Sequence, residues 1–390
     1  MITVARADAL LAEHVRALPT AEVPLAEAAG RVLREAVVAD RDVPPYDRVA
    51  MDGVALASAD LGRRRFRVAS TQAAGEPPHA LGGAGDCVEI MTGAALPDGA
   101  DTVVRYEDLV IGGGWAALRD GVAVAPGQNV HRRGDDRRAG GAVLAPGVRI
   151  GPAHVAALAA LGRAAVRVSA VPRVAVVTTG DEVVPVEAAP LAHQVRRSNG
   201  PAVRAALGGR ADVSLDHAPD DAARLRERLG AALAASDVVL VAGGVSAGRY
   251  DLVPAALAAL GVRGVFHKVR QKPGKPLWFG AAPGGAAVFG LPGNPVSALV
   301  CAVRYVVPFV DRAAGRADAP RATARLTALP ARKNDFVHFV PVRLDGLDAH
   351  PAPSNGSGDF LSLVGSDGVS EVSADVREPG PAPFIPWSPP

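Results

Sequence analysis

The chain has 390 residues, 49% of them hydrophobic and 21% charged, which is enough to build a sizeable core and excludes wholesale disorder. A net charge of +2, from 42 basic and 40 acidic residues, supplies no field that would draw it to nucleic acid or to a membrane surface. Two cysteines, Cys87 and Cys301, with no CxxC pair, exclude a disulfide framework and a zinc ribbon by count. The opening Met1–Asp8 has no apolar leader core, and no run of about 18 apolar residues occurs. The expected location is the cytoplasm, with no membrane span.

In chain order, Leu10, Leu11, Val15 and Leu18 form one stripe and predict a helical start over 3–34, with Pro24 to Arg34 as a second short helical pattern. The breaker Asp42-Val43-Pro44-Pro45-Tyr46-Asp47 then opens a stretch of short apolar strings, such as Phe66-Arg67-Val68 and Thr102-Val103-Val104, separated by Gly, Pro and Asp. That texture is all-β. A helix returns at 151–163. From 172 the chain alternates strand and helix: Val174–Val177, Val238–Val241 and Ala286–Phe289 read as strands, with helices opening near Ser198, Leu252 and Val296. Apolar strands with helical crossovers imply a parallel sheet covered on both faces, a three-layer α/β domain. After Pro320 short strands return, and the Pro-rich end from Pro379 reads as a tail or an edge strand. The predicted fold is therefore α/β plus β. It has a helical N-terminal domain (1–41 and 138–171), an inserted β domain (42–137), an α/β domain (172–317) and a small C-terminal β domain (318–390).

Ligands of an open α/β sheet bind at the carboxyl ends of its strands. The first strand delivers Asp181 and Glu182 there. The second delivers Gly243-Gly244-Val245-Ser246, then Asp251. The third delivers the elbow Pro292-Gly293-Asn294-Pro295 and Ser297. Taken singly, a glycine pair suits a tight turn, Asp181 a turn and Asp251 a helix cap; convergence on one sheet edge favours a ligand. Lysine occurs only at Lys268, Lys272, Lys275 and Lys333, while the other 38 basic residues are arginine. Three lysines within eight residues point to a need for compact charges, suited to an oxyanion or a phosphate. No Walker P-loop, dinucleotide fingerprint or GxSxG elbow is present.

Seven strings stand in order: Pro44-Pro45-Tyr46-Asp47 with Ala50-Met51-Asp52-Gly53, Met91-Thr92-Gly93-Ala94, Arg132-Arg133-Gly134-Asp135-Asp136, Thr179-Gly180-Asp181-Glu182, Gly243 to Gly248, Lys272-Pro273-Gly274-Lys275-Pro276, and Leu291 to Ser297. Together they resemble the molybdopterin molybdenumtransferases, the molybdenum insertase family that includes the E domain of gephyrin. The resemblance covers roughly residues 5–365. It implies four domains, the β insert elongated and the α/β domain binding molybdopterin. The implied activity inserts molybdate into adenylylated molybdopterin with release of AMP and dependence on Mg²⁺.

The resemblance implies Glu182, Asp220, Asp251, Lys268, Lys272 and Lys275 as catalytic residues, with Glu182, Asp220 and Asp251 as hard oxygen ligands for Mg²⁺. Substrate contacts fall on Asp52, Thr92, Asp136, Asp181, Gly243, Gly244, Ser246, Pro292, Pro295, Ser297, Lys333 and Ser357. A head-to-tail homodimer is implied, in which Asp52, Thr92 and Asp136 line the partner's cleft, with transient contact to an upstream adenylyltransferase and to recipient molybdoenzymes. The chain departs from the pattern at His131 and at Lys333, where the family usually carries arginine. The alternative is a non-catalytic molybdopterin-binding scaffold or carrier on the same fold. Retention of Glu182, Asp251 and the lysines argues against it, and the β insert and C-terminal domain argue against the related single-domain adenylyltransferase.

Overall fold

The computed structural model describes residues 1–245, 252–318, 320–331 and 335–388. The chain folds into two compact units, one of Met1–Glu35, Pro146–Val155 and Ala164–Pro390, the other of Ala36–Ala145 and Ala156–Arg163.

The first unit is built on a six-stranded sheet. Its elements are α1 (Val4–Glu13), β1 (Arg173–Thr179), α2 (Asn199–Leu207), β2 (Asp212–Ala218), α3 (Ala222–Ala235), β3 (Val238–Ala242), α4 (Val253–Ala259), β4 (Arg263–His267), β5 (Trp278–Ala281), β6 (Ala287–Leu291) and α5 (Pro295–Cys301). The strand order is β2-β1-β3-β6-β5-β4. The first four strands are parallel, whereas β5 runs antiparallel to both β6 and β4. The sheet is therefore mixed, not wholly parallel as expected. The short connections on either side of β5 cannot hold the crossover that a parallel pair needs.

β1 and β3 are near-continuous apolar runs because both of their faces are covered. Val174, Val176, Leu240 and Phe289 pack on one face with Val203 and Leu207 of α2 and Tyr305 and Phe309 beyond α5. Val4, Ala7 and Leu11 of α1 join the same core, so the first helix is part of this sheet's packing. On the other face Ala175, Val177, Val239 and Val241 meet Leu225 and Leu229 of α3 and Val253 and Leu257 of α4.

The second helical pattern, Pro24 to Arg34, is not a helix. Thr20–Pro24 is a strand antiparallel to Ala165–Ser169, followed by a single 3₁₀ turn at Leu25–Glu27. Val23 faces Val166 across that pair, and Gly30, at φ +80°, interrupts any helical run. The C-terminal strands Thr323–Leu326, Val337–Asp345, Asp348–Pro351, Gly368–Val372 and Gly380–Pro386 close into a small barrel. Its last strand is the Pro-rich segment, which is neither a tail nor an edge: it pairs on both sides. The Phe384 N–H donates to Ala322 O at 2.8 Å. Alternation turns positions 381 and 383 to the other side, past the end of the ladder with Gly368–Val372, where proline costs no bond.

The second unit carries its own six-stranded sheet, in the order Thr102–Arg105, Gly53–Leu56, Asp86–Ile90, Arg65–Gln72, Trp115–Leu118, Leu109–Gly112. Val54, Leu56, Phe66 and Cys87 pack on one side of it, and Ala55, Ile90 and Val103 on the other. Among the described residues no helix is long and apolar enough to cross a membrane.

Candidate active site

The carboxyl ends of β1, β3 and β6 open into one cleft of about 1470 Å³ in the first unit. β1 delivers Thr178, Thr179, Gly180 and Glu182, β3 delivers Gly243 and Gly244, and β6 delivers Pro292 through Ser297. Asp220, just beyond β2, joins them. Its N–H donates to Asp181 Oδ1 at 3.1 Å, tying the two acidic loops together. The rest of the lining comes from Gln271 to Pro276 and from the barrel and its loops, including Phe336, His338, Ser357 and Phe360. Asn294 Nδ2 donates to Ser357 Oγ at 2.9 Å, and the Val296 N–H donates to Ser357 O at 3.1 Å. These bonds join the proline elbow to the barrel loop. Gly243 is held at φ +106°, where a Cβ would lie 2.7 Å from Thr179 Oγ1, so this loop tolerates no side chain.

The lysine loop rests on a buried polar network. Gln271 is fully buried. Its Nε2 donates to Pro273 O at 3.3 Å, and its Oε1 accepts from the Tyr305 hydroxyl. Gln271–Lys272 also pairs in parallel with Val337–His338 of the barrel. Gly274, at φ +90°, lies so close to Cys301 that a Cβ would stand 2.6 Å from its Sγ. The network fixes the backbone while Lys272 and Lys275, both exposed, line the cleft. Lys268 is not among the lining residues. It occupies a left-handed turn at φ 71°, its N–H donating to Leu277 O at 2.9 Å and its carbonyl accepting from the Ile2 N–H at 3.0 Å.

Of the other expected residues, Ser246, Asp251 and Lys333 lie outside the described residues. Asp52, Thr92 and Asp136 belong to the second unit. There the Thr92 N–H donates to Asp52 Oδ1 at 2.6 Å, a bond that holds the Asp52 carboxyl below its usual range. Asp136 Oδ1 lies 3.1 Å from His131 Nε2. Among the described residues no group of three or more His, Cys, Asp or Glu is disposed to hold a metal ion. Sequence reasoning missed Arg197, Asn199, Phe336, His338 and Phe360, all in the cleft wall. Arg197 and Asn199 stand in what reads only as a helix start; His338 lies on a strand whose facing no periodicity reveals, Phe336 just before that strand and Phe360 at the start of a 3₁₀ turn. His217, beside Thr178, is kept neutral: burial, and then the Arg197 charge, push its pKa down.

Three family signatures match in chain order: the MoeA N-terminal region (domain I and II) over 2–162, a probable molybdopterin binding domain over 175–312, and the MoeA C-terminal region (domain IV) over 323–381. The molybdopterin molybdenumtransferase of Synechocystis sp. is 36% identical, over 99% of this chain and 100% of its own length. The chain belongs to the molybdopterin molybdenumtransferase family. The Staphylococcus aureus (strain Mu50) member is 30% identical, covering 89% of this chain and 85% of its own. Among solved structures, a molybdopterin biosynthesis moeA protein from Pyrococcus horikoshii OT3 matches with a TM-score of 0.83 at 27% identity, over 99% of both chains. The cleft described above therefore lies largely within the family's molybdopterin-binding region, with further lining from the C-terminal region.

Proposed function

We propose that this chain is a molybdopterin molybdenumtransferase acting in molybdenum cofactor biosynthesis, inserting molybdate into adenylylated molybdopterin and releasing AMP. The observation that carries the reading is the meeting of Lys272 and Lys275 with Glu182 and Asp220 in one cleft at the sheet's carboxyl edge. Molybdate is a dianion, and two ammonium groups on a rigid loop offer it compact charge and hydrogen bonds. Ser297, in the first turn of α5, adds a hydroxyl. Glu182 and Asp220 offer hard oxygens, and both stand on polar loops open to the cleft. They fit a magnesium ion of the kind that takes one or two carboxylates and completes its shell with water and substrate phosphate. When bound, that ion would neutralise charge on the phosphoanhydride. The carboxylates themselves hold and orient a water or hydroxyl beside the bond to be broken.

The scaffold reading is the weaker one, because a carrier has no use for acids and lysines gathered at the same strand ends. Mixing the protein with adenylylated molybdopterin, Mg²⁺ and molybdate, and following AMP, tests the proposal. Molybdate-dependent release supports it, and tight pterin binding without release leaves the scaffold. Glu182→Gln is expected to lower the rate of AMP release about tenfold, since a neutral amide loses about half the strength of a charge-assisted bond, roughly 1.4 kcal/mol. An unchanged rate would remove Glu182 from the chemistry.

The homodimer belongs to the same proposal. Asp52, Thr92 and Asp136 lie on a unit of their own, and the head-to-tail arrangement would carry them to a partner's cleft. Light scattering at micromolar concentration is expected to give twice the chain mass; a monomer with full activity would defeat it. Passing contacts with the adenylyltransferase that supplies the substrate and with recipient molybdoenzymes, in the cytoplasm, complete the picture.

A further inference from the structure

Arg197 is a charged side chain of the cleft to which neither the motifs nor the family resemblance gives a task. It stands on the turn between the short strand Val195–Arg196 and α2. Two backbone bonds fix it beside the acidic loop: its own N–H donates to Val184 O at 2.9 Å, and the Val195 N–H donates to Glu182 O at 2.8 Å. The side chain is half-buried and lines the cleft. Its Nε is sealed from solvent without a hydrogen-bond partner, and its guanidinium makes no ion pair among the described residues.

Other half-buried or buried arginines of this unit are paired. Arg304 is forked onto Asp8, Arg149 and Arg210 share Asp311, and Arg31 donates to Ser169 O. A guanidinium is always charged, so an unpaired one, partly desolvated, calls for an anion. His217 beside it is neutral and neither competes for that anion nor supplies one. Two residues on, Asn199 donates from Nδ2 to Gly293 O at 2.8 Å while its Oδ1 is buried without a partner. The same turn thus carries an unmet donor and an unmet acceptor in the wall of the cleft.

We propose that Arg197 is a substrate-binding residue that takes the phosphate group of the nucleotide-pterin ligand. The inference rests on the transferase reading and divides its anions. The planar fork of Arg197 suits two oxygens of a phosphate. The point charges of Lys272 and Lys275, on a separate loop of the same cleft, are left for molybdate.

The test compares Arg197→Gln and Arg197→Lys with the unaltered protein. Calorimetry with inorganic pyrophosphate and with AMP reads phosphate binding directly. AMP release, followed while either adenylylated molybdopterin or molybdate is varied, separates the two substrates. Arg197→Gln is expected to weaken pyrophosphate and to raise the half-saturating nucleotide-pterin concentration about tenfold, with the molybdate dependence unchanged. Arg197→Lys, which keeps the charge and loses the fork, is expected to recover part of the loss and guards against a Gln variant that fails to fold. Unchanged pyrophosphate and nucleotide-pterin binding would overturn the proposal, and so would a shift confined to molybdate. If the unaltered protein binds pyrophosphate through Arg197 but releases no AMP with molybdate, the transferase reading falls and the anion site stands.

Discussion

Lys275→Ala is expected to raise the molybdate concentration for half-maximal AMP release roughly ten- to a hundredfold, the loss of one charge-assisted hydrogen bond worth about 1.5–3 kcal/mol. The expectation follows from how the side chain is held. Gly274 on one side is fixed at φ +90° against Cys301, and Pro276 restrains the other. The Lys275 carbonyl accepts from the Val269 N–H at 3.0 Å, and Nζ stands 6.0 Å from the centre of the Phe336 ring, within cation–π range. An ammonium aimed this way loses little entropy on meeting an oxyanion, so its truncation is felt at the anion and not in the fold. The nucleotide-pterin dependence is expected to move less. Lys275→Arg should be tolerated only in part, because a larger planar head must enter the same restrained place. Steady-state rates with molybdate varied at saturating nucleotide-pterin decide the matter. If the Ala variant keeps its molybdate dependence and loses pterin binding, Lys275 serves the phosphate instead and trades places with Arg197.

The parts of this site that were legible in sequence share a cause. β1, β3 and β6 announce themselves because strands covered on both faces must be apolar throughout. Their loops announce themselves because Gly, Pro and acid side chains have no other reason to follow such a run. The lysine loop stood out against a background of 38 arginines. What stayed hidden depends on partners that are distant in the chain. The stripe on α1 shows that a face is buried but not that Val4, Ala7 and Leu11 join the core of the α/β sheet. β5 is four residues, Trp278-Phe279-Gly280-Ala281, too short to display a period. Gln271 looks like an ordinary polar residue between two cations until Tyr305 and Pro273 are seen to enclose it. Arg197 is one arginine among many, and its lack of a partner among the described residues sets it apart.

Arg304→Ala is expected to cost the first unit about 3–5 kcal/mol, the penalty for taking the principal cation from buried acids; Arg321 still reaches Glu371 at 2.9 Å and Asp8 at 3.7 Å, which holds the cost to the low end of that range. The side chain is 2% exposed. It is forked onto both carboxylate oxygens of Asp8 at 2.8 Å, and its Nε donates to Glu371 at 2.8 Å. Burial alone would lower the pKa of this guanidinium; the bonds it donates to Asp8 and the charge of Glu371 more than reverse that. One residue thereby ties α1, the helical run after α5 and the barrel strand Gly368–Val372. A π-helical turn at Ala302–Val306 carries both Arg304 and Tyr305, so that one reaches the acids and the other reaches Gln271 behind the lysine loop. Asp8 keeps 36% of its side chain in water, which puts the cost toward the lower figure.

The two cysteines make the measurement specific. Cys301 is three residues away, Cys87 lies in the second unit, and burial pushes each thiol up to about 12. The thiolate is the reactive form, so neither is alkylated at neutral pH unless its own unit opens. In Arg304→Ala, Cys301 is expected to react on the order of a hundredfold faster while Cys87 keeps its rate. Equal acceleration of both would mean that the units open together, and no acceleration at all would mean that the acids find water without unfolding. Arg304→Met combined with Asp8→Leu and Glu371→Leu is expected to win back most of the loss, because no buried carboxylate is then short of a cation and Arg321, 44% exposed, can turn to water.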